Sequence, residues 1–147
     1  MNAPPTPPTL PTFDPWDAAD RLGITVVRVP LRNARGYTDG HATIWVHDGL
    51  TQCEERVAAT HELVHVTQGH VGRQTPEVEE LVRKVTARWL VPWSCLMSFW
   101  GAELTLEEIA TRLCVTAEVV HDRIQHATPQ ELASVPKVAA VCASLAA

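Results

Sequence analysis

From Gln52 to Gln68 the chain carries neither proline nor glycine, and the stretch is framed by Thr51, with Glu54 three residues on, and by Gly69. Thr51-Gln-Cys-Glu54 has the form of a capping box, in which the threonine hydroxyl and the glutamate carboxylate take up amides that the first helical turn leaves unpaired. With the glycine as a stop, the pattern predicts a helix of about five turns.

A second helix is predicted from Thr75-Pro76, with threonine as N-cap and proline in the first turn, to near Val91-Pro92. Val78, Leu81, Val82, Val85 and Trp89 recur on it at helical spacing, so one side packs against the domain. Upstream, Asp14 opens a short helix with Trp16, Ala19 and Leu22 on one side and Gly23 as its stop. Residues 24–29 are rich in β-branched side chains, and 36–39 and 42–46 are short extended runs joined at Asp39-Gly40, a hairpin dipeptide. A small antiparallel sheet is expected there. Three shorter helical segments follow, over 106–113, 117–126 and 136–145.

At 147 residues and 46% hydrophobic composition, one domain with its own core is expected. The net charge of -5 and the pI near 5.7 supply no broad positive field, which argues against nucleic acid as a direct partner. Six of the eleven prolines lie within residues 3–15, where they block helix and sheet alike, so a disordered tail is expected over 1–13. Cys53, Cys95, Cys114 and Cys142 form no CxxC pair and no framework spacing, and read as reduced, mostly buried thiols. No basic and apolar leader opens the chain, and no run approaches the roughly 18 apolar residues that span a bilayer. A cytoplasmic protein with no membrane partner is expected.

The chemistry lies in His61-Glu-Leu-Val-His65. Residues four apart on a helix lie nearly above one another, so the two imidazoles point at one place and Glu62 stands beside them. That is half of a tetrahedral zinc site, and a catalytic site takes three protein ligands and leaves a fourth position for water. The extended HExxHxxGxxH pattern fails at Gln68 and Val71, so the third ligand is sought on the next helix. There, Glu77 belongs to the first turn, where negative charge suits the helix N-terminus. Glu80 shares the solvent side with Lys84 and Ala87. Glu79 borders the apolar stripe with Val82 and Thr86, where a carboxylate needs a partner, and is the third ligand expected for Zn2+. Glu62 then serves as the base that takes a proton from water and returns it to a leaving amine. Oxyanion or substrate contacts are sought among Tyr37, His41 and His70, with His121 and His126 also open. The strand at 42–46 offers an edge to which an extended substrate could add.

Over residues 14–124 the chain resembles the ImmA/IrrE family of metallopeptidases. The resemblance rests on Arg21-Leu-Gly-Ile24, Gly36-Tyr37, Arg56, the HELVH motif, and a helix closing on Trp89-Leu-Val-Pro92, from which the family's glutamate counts back to Glu79. Val82, Arg83 and Val85-Thr86 depart from a pattern that has alanine, an acidic or amide residue, and a Phe-Ala pair. The resemblance implies an α+β fold: a small zincin-like domain over 14–100, whose short antiparallel sheet packs on the HExxH helix and a second ligand helix. A C-terminal helical, helix-turn-helix-like subdomain over 101–147 packs on it. The implied activity is that of a zinc-dependent endopeptidase whose protein substrate is a helix-turn-helix repressor, cleaved to relieve repression of a mobile element or a stress response.

Two other functions stay open. Residues 106–124 outline a helix-turn-helix through Ala110, Cys114-Val115 and Val120, yet Glu107, Glu108, Glu118 and Asp122 outweigh Arg112 and Arg123, so DNA contact is not expected. The other is a protein that binds a repressor without cutting it, a reading supported by Arg83 alone.

Overall fold

The computed structural model describes residues 13–136. Apart from Phe13 and Pro136, the proline-rich tail and the helix expected over 136–145 lie outside the described residues. Helix α2, Gln52–Thr67, starts at the expected capping box: the Thr51 hydroxyl accepts from the Glu54 amide at 3.3 Å, and the Glu54 carboxylate accepts from the Thr51 amide at 2.9 Å. From Ala58 to His65 every residue except His61 is buried, so neighbours enclose this helix on nearly all sides.

One group of neighbours precedes it in the chain. Helix α1, Pro15–Arg21, is capped by the Asp14 carboxylate, which accepts from the Trp16 and Asp17 amides. Strands β1, Thr25–Val29, β2, Gly36–Thr38, and β3, Thr43–His47, form a three-stranded sheet in the order β1-β3-β2. The sheet is mixed, where an antiparallel one was expected: β2 pairs antiparallel with β3, but β1 runs parallel to β3, from Thr25 opposite Thr43 to Val29 opposite His47. The reason is local. The Asp39 carboxylate accepts from the amides of His41, Ala42 and Thr43 at 2.8, 3.0 and 3.1 Å, which folds β2 and β3 into a hairpin and leaves β1 only the far side of β3. Ile44 and Val46 are fully buried and form one core with Ala19, Ile24, Ala58, Ala59 and Leu63. Trp45 points the other way and packs against Tyr37, ring centroids 5.5 Å apart.

A second core lies beyond α2. Helix α3, Pro76–Leu90, is capped by the Thr75 hydroxyl and buries Val82, Thr86, Ala87 and Leu90. The buried side is turned relative to the expected stripe, since Leu81 is 52% exposed. Helices α4, Trp93–Met97, α5, Leu106–Leu113, α6, Ala117–Gln125, and α7, Pro129–Ala133, complete the described chain. Ala110, Val115 and Val120 pack with Leu90, Val91 and Leu96, in agreement with the helix-turn-helix outline. Among the described residues no helix is long and apolar enough to cross a membrane.

Arg123 on α6 joins these short helices. Only 4% exposed, it donates from Nε to the Val91 carbonyl at 2.8 Å, engages both carboxylate oxygens of Glu131, and lies over the Trp93 ring. Hydrogen bonds from Arg123 hold the Glu131 carboxyl down at about 2, well below its ordinary value of 4.5. A depressed carboxyl stabilises the fold at neutral pH, and its contribution is lost as pH falls from its ordinary range through the lowered value. Replacing Glu131 by Gln is expected to lower stability at neutral pH by about 1–3 kcal/mol, because the buried guanidinium loses its counter-charge. Urea unfolding as a function of pH should also show a shallower acid decline in the variant than in the wild type.

Candidate metal centre

Two helices and one strand build the site. On α2, His61 and His65 are one turn apart with their Nε2 atoms 3.2 Å from each other. Glu79, in the first turn of α3, brings Oε2 to 3.2 Å from His61 Nε2 and Oε1 to 3.4 Å from His65 Nε2. These three side chains form a group that could hold a metal ion. The other two glutamates of the α3 start are elsewhere: Glu77 is exposed, and Glu80 pairs with His126 at 3.5 Å.

Burial sets the charge state of the donors. It is the main cause that lowers both His61 and His65 below the ordinary imidazole range, which favours the neutral ring whose lone pair ligation requires. His70 supports the arrangement from behind, with its Nδ1 3.1 Å from His65 Nδ1. A hydrogen bond there sets the tautomer of His65 and leaves Nε2 facing Glu79.

Glu62 is buried, 8% exposed, and its carboxyl is pushed up to about 7, first by burial and then by the Glu79 charge. A cation between the three donors would oppose both effects and draw it back toward the carboxylate form. Gly36 of β2 lies directly against it: a Cβ there would stand 3.0 Å from Glu62 Cγ and 3.1 Å from Oε1, so a side chain at this position would require the Glu62 side chain to give way by a few tenths of an ångström. Gly40 plays a similar part at the hairpin turn, where it has φ +80° and a Cβ would meet the His70 carbonyl oxygen at 2.5 Å. The turn thereby closes on the segment after α2.

The group opens into a cleft with two lobes that share Gly36, His61 and Glu62. One, of about 340 Å³, is walled by Tyr37, Thr38, His70, Arg73 and Gln74. The other, of about 320 Å³, lies between Arg35, Arg83 and the start of α6 at Thr116, Glu118 and Asp122. Of the contacts sought in the sequence, His70 lines the cleft, with its ring against His65. Tyr37 reaches the cleft wall while its ring packs on Trp45, on the outer sheet face. His41 is exposed in the hairpin turn and lines neither lobe. His121 is exposed beside Asp122, and His126 is engaged by Glu80.

Sequence reasoning missed Gly36 as the residue against which Glu62 packs, and the arginines 35 and 73 of the cleft walls. A glycine inside a predicted strand is the signal that could have marked the first, because it denotes close approach of another group. The arginines carry no spacing that distinguishes them from solvated charges. Arg83 stands on the cleft wall, and its charge is one of the lesser causes that lower His61. Comparison with protein-family models, with curated proteins and with solved structures finds no match.

Equilibrium dialysis against a divalent cation is expected to load one ion per chain. His70→Ala should weaken binding about 10–100-fold through lost orientation of His65. Glu79→Ala should weaken it further, and Gly36→Ala, which disturbs Glu62 alone, should leave it near the wild-type value.

Proposed function

We propose that the chain is a zinc-dependent endopeptidase acting on a helix-turn-helix transcriptional repressor, so as to relieve repression of a mobile element or stress response. The observation that carries this reading is the convergence of two imidazole nitrogens and one carboxylate on a single place. Ligands bonded to zinc at about 2.0–2.1 Å in a tetrahedron lie about 3.3–3.4 Å apart. The 3.2 Å between His61 Nε2 and His65 Nε2 fits that figure, and each imidazole has its own Glu79 oxygen at the same range, Oε2 at 3.2 Å from His61 and Oε1 at 3.4 Å from His65. Two neutral imidazoles and one carboxylate are also the donor set of catalytic zinc sites that keep a position open.

Zinc bound there would supply a Lewis acid that polarises a carbonyl and acidifies a water molecule. The protein's own part is proton transfer and positioning. Glu62, held beside the donors by Gly36, accepts the proton of the attacking water and hands it to the amine that departs. Buried and with a raised carboxyl, it is suited to both halves of that exchange. His70 keeps His65 oriented throughout.

An endopeptidase must admit a chain that continues on both sides of the scissile bond, and the cleft continues on both sides of Glu62. Of the two edge strands, β2 is the one beside Glu62 and so the one suited to substrate addition. The sequence placed this role on β3, but β3 is paired on both edges, to β1 and to β2. An extended segment laid along β2 would run past Gly36 and present its carbonyls to the site. The choice of a repressor as substrate rests on the ImmA/IrrE resemblance.

Co-expression with the helix-turn-helix repressor encoded nearest its gene, followed by intact-mass analysis of that repressor, tests the proposal. Wild type is expected to yield a discrete pair of fragments. Glu62→Gln should lower the cleavage rate about 10²–10⁴-fold while retaining the metal. Equal cutting by the variant would remove Glu62 from its role, and an intact repressor beside metal-loaded wild type would favour binding without cleavage.

A further inference from the structure

Away from the metal centre, the sulfurs of Cys53 and Cys114 lie 2.6 Å apart, although the residues are 61 positions apart in sequence. Both are free thiols, and both are partly exposed, so a small oxidant can reach them. The approach is held from several sides. Cys53 sits in the capped first turn of α2. Three residues on, Arg56 donates from Nη1 to the carbonyls of Leu113 and Cys114 at 3.1 and 2.9 Å, and from Nη2 to the Phe13 carbonyl at 2.9 Å. One guanidinium therefore fastens the end of α5 to the beginning of α2.

Cys114 is the C-cap of α5 and has φ 50°, in the left-handed region. Glycine or asparagine serves that position at least cost. A cysteine there bears backbone strain and carries a thiol directly over Cys53. Cys95, by contrast, is buried and has no sulfur partner among the described residues.

We propose that Cys53 and Cys114 are a modification site at which a hydroperoxide forms a reversible disulfide, stapling the first turn of α2 to the end of α5. One sulfur takes an oxygen as the peroxide O–O bond breaks, giving a sulfenic acid and releasing an alcohol or water. The second sulfur then attacks the first; the S–S bond forms, the S–O bond breaks and water leaves. Each sulfur gives up one electron to the peroxide, and both thiol protons end in the released alcohol and water.

The closed loop would span the metal centre in sequence, from before His61 to after Glu79. It would also tie α2 to the helix pair that supplies Thr116, Glu118 and Asp122 to the cleft wall. Burial, and then the neighbouring Cys114, pushes the Cys53 thiol up to about 11, so its thiolate is scarce at neutral pH and the reaction is slow there. The rate should rise with pH.

The full chain is treated with hydrogen peroxide, alkylated, and mapped by peptide mass spectrometry without reduction. The expected result is an intact mass lower by two hydrogens before alkylation and a Cys53 peptide joined to the Cys114 peptide, both reversed by dithiothreitol. The midpoint of urea unfolding should move upward on oxidation in the wild type and stay put in Cys53→Ser and Cys114→Ser. Mapping the wild type alone keeps the test valid if either variant fails to fold. Linkage through Cys95 or Cys142 instead, or oxidation of Cys53 and Cys114 separately to sulfinic acids, would overturn the proposal. None of these readouts depends on peptidase activity.

Discussion

Glu62 and His65 are buried on the central helix of the fold, in a stretch whose other buried residues are Ala58, Ala59, Thr60, Leu63 and Val64. Placing a polar or ionisable group in such surroundings is unfavourable unless something specific is arranged around it. Thr60 answers the cost locally, by donating to the Arg56 carbonyl at 2.8 Å. His65 answers it with partners on both ring nitrogens, His70 on one side and the His61–Glu79 pair on the other. The placement of α3, of the β2–β3 hairpin and of the segment carrying His70 can all be understood as the walls that this polar centre requires.

Each wall depends on a small number of residues. The Thr75 cap starts α3 in the position that lets Glu79, in its first turn, lean toward α2. The next residue of the same helix already points its carboxylate at another element, as Glu80 does toward His126. The Asp39 carboxylate and Gly40 form a turn tight enough to lie against the His70 backbone, and Gly36 lets the strand approach the Glu62 side chain. On the opposite side, α6 forms the second lobe, and its acidic residues Glu118 and Asp122 face the cleft. The charge excess that argued against DNA contact in the sequence thus has a place in the fold, next to Arg35 and Arg83.

The thiol pair and the Arg56 fork occur where these two parts of the chain join. Arg56 entered the sequence reading through the family resemblance, with no role derived for it. Its hydrogen bonds to Phe13, Leu113 and Cys114 link three segments that are distant in sequence. The same join brings Cys53 to Cys114, which explains why four cysteines without any motif spacing contain a close pair.

Capping boxes, the proline at the start of α3, the Asp39-Gly40 turn and the i,i+4 histidines are local signals, and each could be read directly because its physics is contained within a few residues. The choice of Glu79 over Glu77 and Glu80 was legible for a similar reason, since helical geometry ties a residue's direction to its place in the turn. Two short helices were missed. The sequence signal for α7 was present in Thr128, Pro129 and Glu131, but a single turn gives little periodicity to detect. Strand order, the parallel pairing of β1, the exposure of His41 and Leu81, the contact of Gly36 with Glu62 and the meeting of Cys53 with Cys114 belong to the tertiary structure. They depend on which distant segments share a surface, and no spacing along the chain encodes that.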